Sequence, residues 1–293
     1  VCDDGSTDDL VGALAPFGDR VTLLRQPNRG EGAAKNAAAA AASSDFVVLL
    51  DADDLFLPGR LAALGEAVQQ RPDLDLVTTD AILSVDGVQV GTYYGTCAEF
   101  AVDDQATQIL RTNFVFGLAA ARRSRLLAVG GFDEAIRYTA DWSGWMRLLL
   151  SGSAAGYVDE PLAVYRRHDR SLSANRAAMV RGRIDNLHAM AERHALSGAQ
   201  QEVVTAALVA QARALPWEHL CDGVRGGADD TRRRGRALLR EPGRARSERA
   251  LAAAAVVSPR VARSVLHWAG TTTCGEPRDL GNALRAALPG RRA

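Results

Sequence analysis

The chain has 293 residues, enough for one large domain or two modest ones around a substantial core. Lysine plus arginine equals aspartate plus glutamate at 35 each, and the zero formal charge argues against a dedicated nucleic-acid or polyanion binder. No run approaches the roughly 18 consecutive apolar residues of a bilayer span, and no stretch reads as a signal peptide.

Val1-Cys2 reads as a strand end, so the expectation is a fragment truncated at its N-terminus, lacking a first strand and helix. DDGSTDD follows as a turn and a helix start, with Ser6 and Thr7 suited to the cap and Asp8 and Asp9 to the positive helix end. VTLL at 21–24 is a short strand, and NRGEG leads into an alanine-rich helix at 31–42. FVVLL at 46–50 is a continuous apolar run of the kind a buried parallel strand shows. A helix starts after Pro58, with Leu61, Leu64 and Val68 at helical spacing, and DLVTT at 75–79 is the next strand. Strands alternating with helices predict βα units and a mostly parallel sheet in an α/β fold.

From about 88 to 170 the pattern mixes short strands near 88–94, 114–119 and 162–166 with helices near 103–111 and 140–151. Beyond 176 the chain is rich in alanine and arginine and reads as helical, interrupted by glycine and proline clusters at 223–227 and 241–244. Between 221 and 250 there are nine arginines against five acidic residues, which fits a set of solvated helices better than a membrane or partner surface. The four cysteines (Cys2, Cys97, Cys221, Cys274) form no CxxC or Cys/His cluster. They predict a reduced, intracellular and hence cytoplasmic protein without a structural zinc site.

Two acidic segments stand out. Asp3 and Asp4 precede the glycine of DDGSTDD at a strand's carboxyl end, where open α/β sheets bind ligands, and capping does not account for them. Asp51, Asp53 and Asp54 follow the apolar run of FVVLLDADD. Asp51 and Asp53 are two apart, so on extended backbone both would face the same way. Two carboxylates in one small space repel unless a cation or donors occupy it, and Mg2+ or Mn2+ with substrate phosphates is the natural resident. An acidic loop with a helix cap is the alternative, above all for Asp54. A calcium loop fits poorly, because Phe56 stands where that loop needs glycine and Ala62 where it needs glutamate.

VCDDGSTDD and NRGEGAAKNAAAAAASSDFVVLLDADD together resemble the nucleotide-binding half of family 2 glycosyltransferases, over roughly residues 1–175. The resemblance implies a GT-A fold, a Rossmann-like α/β catalytic domain at 1–175, and an α-helical extension at 176–293. It implies a nucleotide-sugar donor, most commonly a UDP-sugar, an Mg2+ or Mn2+ cofactor, and an inverting reaction. Asp4 would then bind the nucleobase, Asp51 would lie near the ribose, and Asp53 would hold the metal on the diphosphate. Lys35, in the Ala34-Lys35-Asn36 triplet, would face the diphosphate, with Gly30 and Gly32 giving close backbone approach.

GGFDEAIRYTADWSGWMRLLLSG resembles the family's acceptor-side segment, which places Asp141 on the catalytic base and Trp142 and Trp145 on the acceptor wall. Ala140 stands where the family pattern has glutamate. YRRHDRSLS resembles a further family segment in which His168 would reach the metal or diphosphate, with Arg166 nearby. The acceptor stays open between a glycan, a lipid carrier, a protein and a small molecule, and the helical region leaves peripheral membrane docking open. A catalytically impaired relative and a nucleotidyltransferase releasing pyrophosphate are the rival readings.

Overall fold

A computed structural model describes residues 1–168, 171–227 and 230–270. Asp169 and Arg170 of the YRRHDRSLS segment, and the end of the expected helical region with Cys274, lie outside the described residues.

The chain forms two compact units, Val1–Leu172 with Gly182–Leu208, and Ser173–Arg181 with the residues from Val209 onward. The first carries all the strands. A short parallel pair, β1 (Cys2–Asp3) and β2 (Leu24–Arg25), flanks α1 (Leu10–Leu14). After α2 (Glu31–Ala41) come β3 (Phe46–Val48), β4 (Leu55–Phe56), α3 (Arg60–Gln70), β5 (Leu74–Val85) and β6 (Val88–Thr92). Then follow α4 (Tyr93–Thr96), α5 (Gln105–Arg111), β7 (Ala120–Arg122), α6 (Arg123–Ala128), α7 (Ala140–Leu150) and β8 (Ala154–Arg167). The larger sheet runs β3-β7-β5-β8-β4, with β6 paired to β5.

The α/β class and the helical C-terminal portion are as expected, but the strand directions are mixed. Among the described strands only β1–β2 and β5–β8 run parallel, whereas β3–β7, β5–β7, β4–β8 and β5–β6 are antiparallel. The β5–β6 pair has a local cause. Asp86 and Gly87 both take positive φ, 49° and 83°, as a two-residue hairpin turn demands.

The strand expected at 114–119 is a loop, and the pairing segment starts at Ala120. Side chains occupy that loop's backbone groups. The Tyr94 hydroxyl donates to Phe114 O at 2.8 Å and accepts from Phe116 N at 3.0 Å, and Arg60 Nη2 donates to Leu118 O at 2.6 Å. Arg60 reaches this loop because α3 turns Arg60 and Leu64 inward, at i and i+4, leaving Leu61 exposed.

β5 is buried along most of its length, as a strand covered on both faces must be, and its parallel register with β8 runs from Leu74↔Ala154 to Val85↔Arg167. Leu76, Phe114, Phe132, Trp142, Trp145 and Leu187 belong to the main core, all at most 3 % exposed. In the second unit, Leu220, Val224, Leu238, Leu251 and Ala255 form a separate core, and Arg232, Arg236 and Arg240 face solvent. No helix among the described residues is long and apolar enough to cross a membrane. Cys2 and Cys221 are free thiols.

Candidate active site

The turn after β3 brings the carboxylates out of register. Asp54 N donates to Asp51 O at 3.0 Å, so residues 51–54 form a tight turn and not the extended backbone expected of them. Asp51 and Asp53 therefore meet different partners. Asp51 Oδ1 lies 2.8 Å from Lys35 Nζ, and Asp53 Oδ2 lies 3.6 Å from His168 Nε2. Asp54 is buried and accepts from Arg166 N at 2.8 Å, while Arg166 Nε donates to the Asp53 carbonyl. The end of β8 is thus fastened to the acidic turn, with His168 two residues beyond Arg166. Burial pushes the Asp54 carboxyl up to about 7; the Arg166 hydrogen bond opposes this, and Asp53 and Asp51 add to it.

α2 supplies the opposing charge. Its N-cap is Gly30 at φ 94°, a conformation open chiefly to glycine. Asp4 holds that cap, accepting from Gln26 Nε2, Arg29 N and Gly30 N, each at 2.8 Å. Three donors leave its carboxylate about one free lone-pair site. Asp3 is a local brace, accepting from Ser6 N at 2.7 Å and Arg25 Nε at 3.1 Å, and Asp9, not Ser6 or Thr7, caps α1.

Glu31 and Lys35, at i and i+4, are bonded to each other, so Lys35 bridges Glu31 and Asp51. Burial works to lower the Lys35 pKa, but Glu31, Asp51 and Asp141 together outweigh it and raise it, so the amine stays charged. Burial likewise raises the Glu31 carboxyl.

Small residues bring α2 against the acceptor-side segment. A Cβ on Gly32 would sit 3.2 Å from Asp133 O and 3.6 Å from the Ala140 Cβ. Ala140 is fully buried at this contact, which explains why the position holds no glutamate. Asn36 closes the same seam, donating to Phe132 O and accepting from Phe132 N, both at 2.9 Å.

Asp141 lies in the first turn of α7, two residues after Thr139, an N-cap at φ 60° and ψ 35°. Its Oδ2 accepts from Asn113 Nδ2 at 3.1 Å, and a Cβ on Gly117 would fall 3.1 Å from the same oxygen. Burial raises the Asp141 carboxyl, Lys35 pulls it back, and Asp51 adds to the rise. Tyr93 feels the Asp141 charge as well, which brings α4 to the same place.

Trp142 and Trp145 do not form an acceptor wall. They are 3 % and 0 % exposed, with Trp142 Nε1 donating to Ile109 O at 2.8 Å and the Trp145 ring 5.5 Å edge-on from Phe132. α7 turns them into the core behind Asp141.

Sequence reading brought Lys35, Asp51, Asp53, Asp141, Arg166 and His168 into one neighbourhood, and they do meet there. It missed Glu31, Tyr93 and Asn113. Glu31 carried a local signal, its i,i+4 spacing to Lys35, whereas Tyr93 and Asn113 sit in segments with no motif. Among the described residues no three His, Cys, Asp or Glu side chains group as a metal cage. The Asp53–His168 pair still fits a divalent ion that takes one or two protein ligands and completes its shell with phosphate and water. Its imidazole favours Mn2+ over Mg2+.

Comparison with known proteins agrees with this geometry. Residues 1–126 match the family described as Glycosyl transferase family 2. The succinoglycan biosynthesis protein ExoU of Rhizobium meliloti is 31 % identical over 173 residues, covering 52 % of this chain and 48 % of that protein. The chain spans about half the length of the curated relatives it matches. The crystal structure of S. aureus TarS 1–349 superposes at a TM-score of 0.54 with 15 % identity, covering 99 % of this chain and 82 % of that one. The mannosyltransferase PcManGT of Pyrobaculum calidifontis, in complex with GDP-Man and Mn2+, superposes at 0.53 with 19 % identity, covering 90 % and 76 %. These neighbours have the GT-A fold, and residues 1–126 of the chain are similar to glycosyl transferase family 2.

Proposed function

We propose that the chain transfers a glycosyl group from a nucleoside diphosphate sugar to an acceptor hydroxyl, inverting the anomeric centre, with Asp141 as general base. The observation that carries this reading is one charge cluster in which Asp141 and Asp51 both answer to Lys35, while Asp53, on the same turn as Asp51, faces His168 from the end of β8.

Asp53 and His168 would hold the divalent ion, which when bound supplies Lewis-acid stabilisation to the departing diphosphate. Asp51 lies toward the ribose, and Asp4 shapes the nucleobase side through the Arg29–Gly30 backbone it holds. Arg166 and Lys35 offset negative charge around the diphosphate. Asp141 takes the proton of the acceptor hydroxyl as that oxygen attacks, and its raised pKa brings it nearer the working range of a general base. The Mn2+ and GDP-Man of the Pyrobaculum neighbour are in keeping with the ion and the donor class.

Calorimetric binding of UDP, GDP and dTDP, with and without Mn2+, tests the donor site. The expected result is Mn2+-dependent binding of one nucleotide, lost in Asp53→Ala. Binding of none of the three by the wild type would overturn the reading.

A further inference from the structure

Three side chains anchor the loop between α5 and β7 and the turn before it, and one of the loop's own residues reaches the candidate base. Tyr94 fixes Phe114 and Phe116, Arg60 fixes Leu118, and Trp142 fixes the preceding turn at Ile109. Arg60 is 1 % exposed and makes no ion pair among the described residues, so a buried charge is being used to bind a carbonyl. With the loop held, Asn113 aims its amide at Asp141 Oδ2 across 3.1 Å, and the backbone at Gly117 crowds the same oxygen. The other amide atom, Asn113 Oδ1, is buried without a hydrogen-bond partner. A buried acceptor left unmade is unfavourable, so the orientation of this amide is set by the carboxylate it serves.

We infer that Asn113 is a positioning residue for the transfer step: it occupies Asp141 Oδ2, leaving Oδ1 as the oxygen that receives the acceptor's proton. The inference rests on the proposed function, in that it takes Asp141 as the base. In the step it describes, the acceptor O–H bond breaks and its proton goes to Asp141 Oδ1. The acceptor oxygen's electron pair forms the new bond to the anomeric carbon. The bond from that carbon to the diphosphate oxygen breaks, and its electron pair leaves with the nucleoside diphosphate.

An amide that donates to the ionised form favours that form, so its removal raises the carboxyl's pKa. The other titratable groups facing Asp141 are Lys35 and Glu31 on α2, Asp51 on the acidic turn and Tyr93 on α4, whose phenol is in turn faced by Arg183. None of these is changed by substitution at position 113.

The test compares wild type with Asn113→Ala and with Asn113→Leu, which removes the donor while keeping the shape, so that one folded variant suffices. The first readout needs no substrate. In protein labelled with carbon-13 at the aspartate carboxyls, the Asp141 resonance is assigned by its loss in Asp141→Asn and followed against pH. Its titration should move up by about one unit in the Asn113 variants. The second readout is release of nucleoside diphosphate from UDP-, GDP- and dTDP-sugars with Mn2+ and water as acceptor. There kcat should fall about ten- to a hundredfold and its acid limb move to higher pH, with donor KM unchanged. An Asp141 titration unmoved in a folded variant overturns the inference while leaving the base assignment intact. Full turnover by Asp141→Asn would instead remove the assignment on which the inference rests.

Discussion

Asn186 gives both amide hydrogens to one residue, Thr139, reaching its carbonyl at 3.0 Å and its hydroxyl at 2.9 Å. Asn186 is fully buried on α8 (Arg176–Arg193), and Thr139 is the positive-φ cap that starts the helix of Asp141. Four residues earlier Gly182 lies so close that a Cβ there would come within 2.6 Å of Tyr138 O and 3.0 Å of Thr139 Oγ1. One stripe of α8 therefore holds the turn from which the candidate base projects. Asn186→Ala should destabilise the first unit by about 1–3 kcal/mol, read as a lower urea midpoint. It should also lower kcat more than donor affinity, and a midpoint equal to wild type would remove α8 from this role.

Gly131 stands at φ 65°, and a Cβ there would overlap the Asn36 Oδ1 that accepts from Phe132. Gly131→Ala should lose about 1–2 kcal/mol to the left-handed backbone alone, with further loss from the broken Asn36 clamp. Thermal unfolding of the pure variant is the check. A transition at the wild-type temperature would mean the seam between α2 and the 131–141 segment is looser than its geometry.

Lys35→Met should move the acid limb of turnover to higher pH. Lys35 favours the ionised forms of Asp141 and Glu31, so taking its charge away lets these two carboxyls hold their protons longer. A pH–rate profile of nucleotide release, compared with wild type, settles the sign, and a shift toward acid would contradict the arrangement.

Asp54 makes a pH prediction for the metal-free protein. Its folded pKa of about 7 lies above its ordinary 3.8, so the folded state holds the proton more tightly than the unfolded chain. The stabilisation is fully present below about pH 4 and is lost as pH rises toward 7. Asp54→Asn, which cannot ionise, should match wild type near pH 4 and unfold at higher urea at pH 8, by at most about 4 kcal/mol. Equal midpoints at pH 8, measured in EDTA, would count against the burial of this carboxyl as a charge.

Much of the proposed donor side was legible because its residues lie in short contiguous segments whose chemistry is local. DDGST, GEGAAKN and DADD each declare a turn or helix start, and His168 and Arg166 follow one strand. Reading Asp51 and Asp53 as parallel failed because the tight turn at 51–54 replaces the extended backbone that the alternation argument assumes. The proposed acceptor side was less legible. Asn113 and Tyr93 reach Asp141 from segments 28 and 48 positions away in number, and pairing over such distances leaves no periodic trace. Trp142 and Trp145 were misplaced because a helix carrying one candidate catalytic carboxylate otherwise packs like any core helix, and composition does not say which face an indole takes.

Lys35 is the single lysine in the whole sequence, and its side chain is 11 % exposed between two carboxylates. Amine-directed reagents therefore find almost nothing to modify on this protein's side chains except the centre of its candidate site, where the ammonium is held protonated and so unreactive. Acylation at Lys35 becomes a reporter of disturbance. It should be slow in the native protein and rise when Glu31 or Asp51 is replaced, giving a chemical handle on the cluster that needs neither donor nor acceptor.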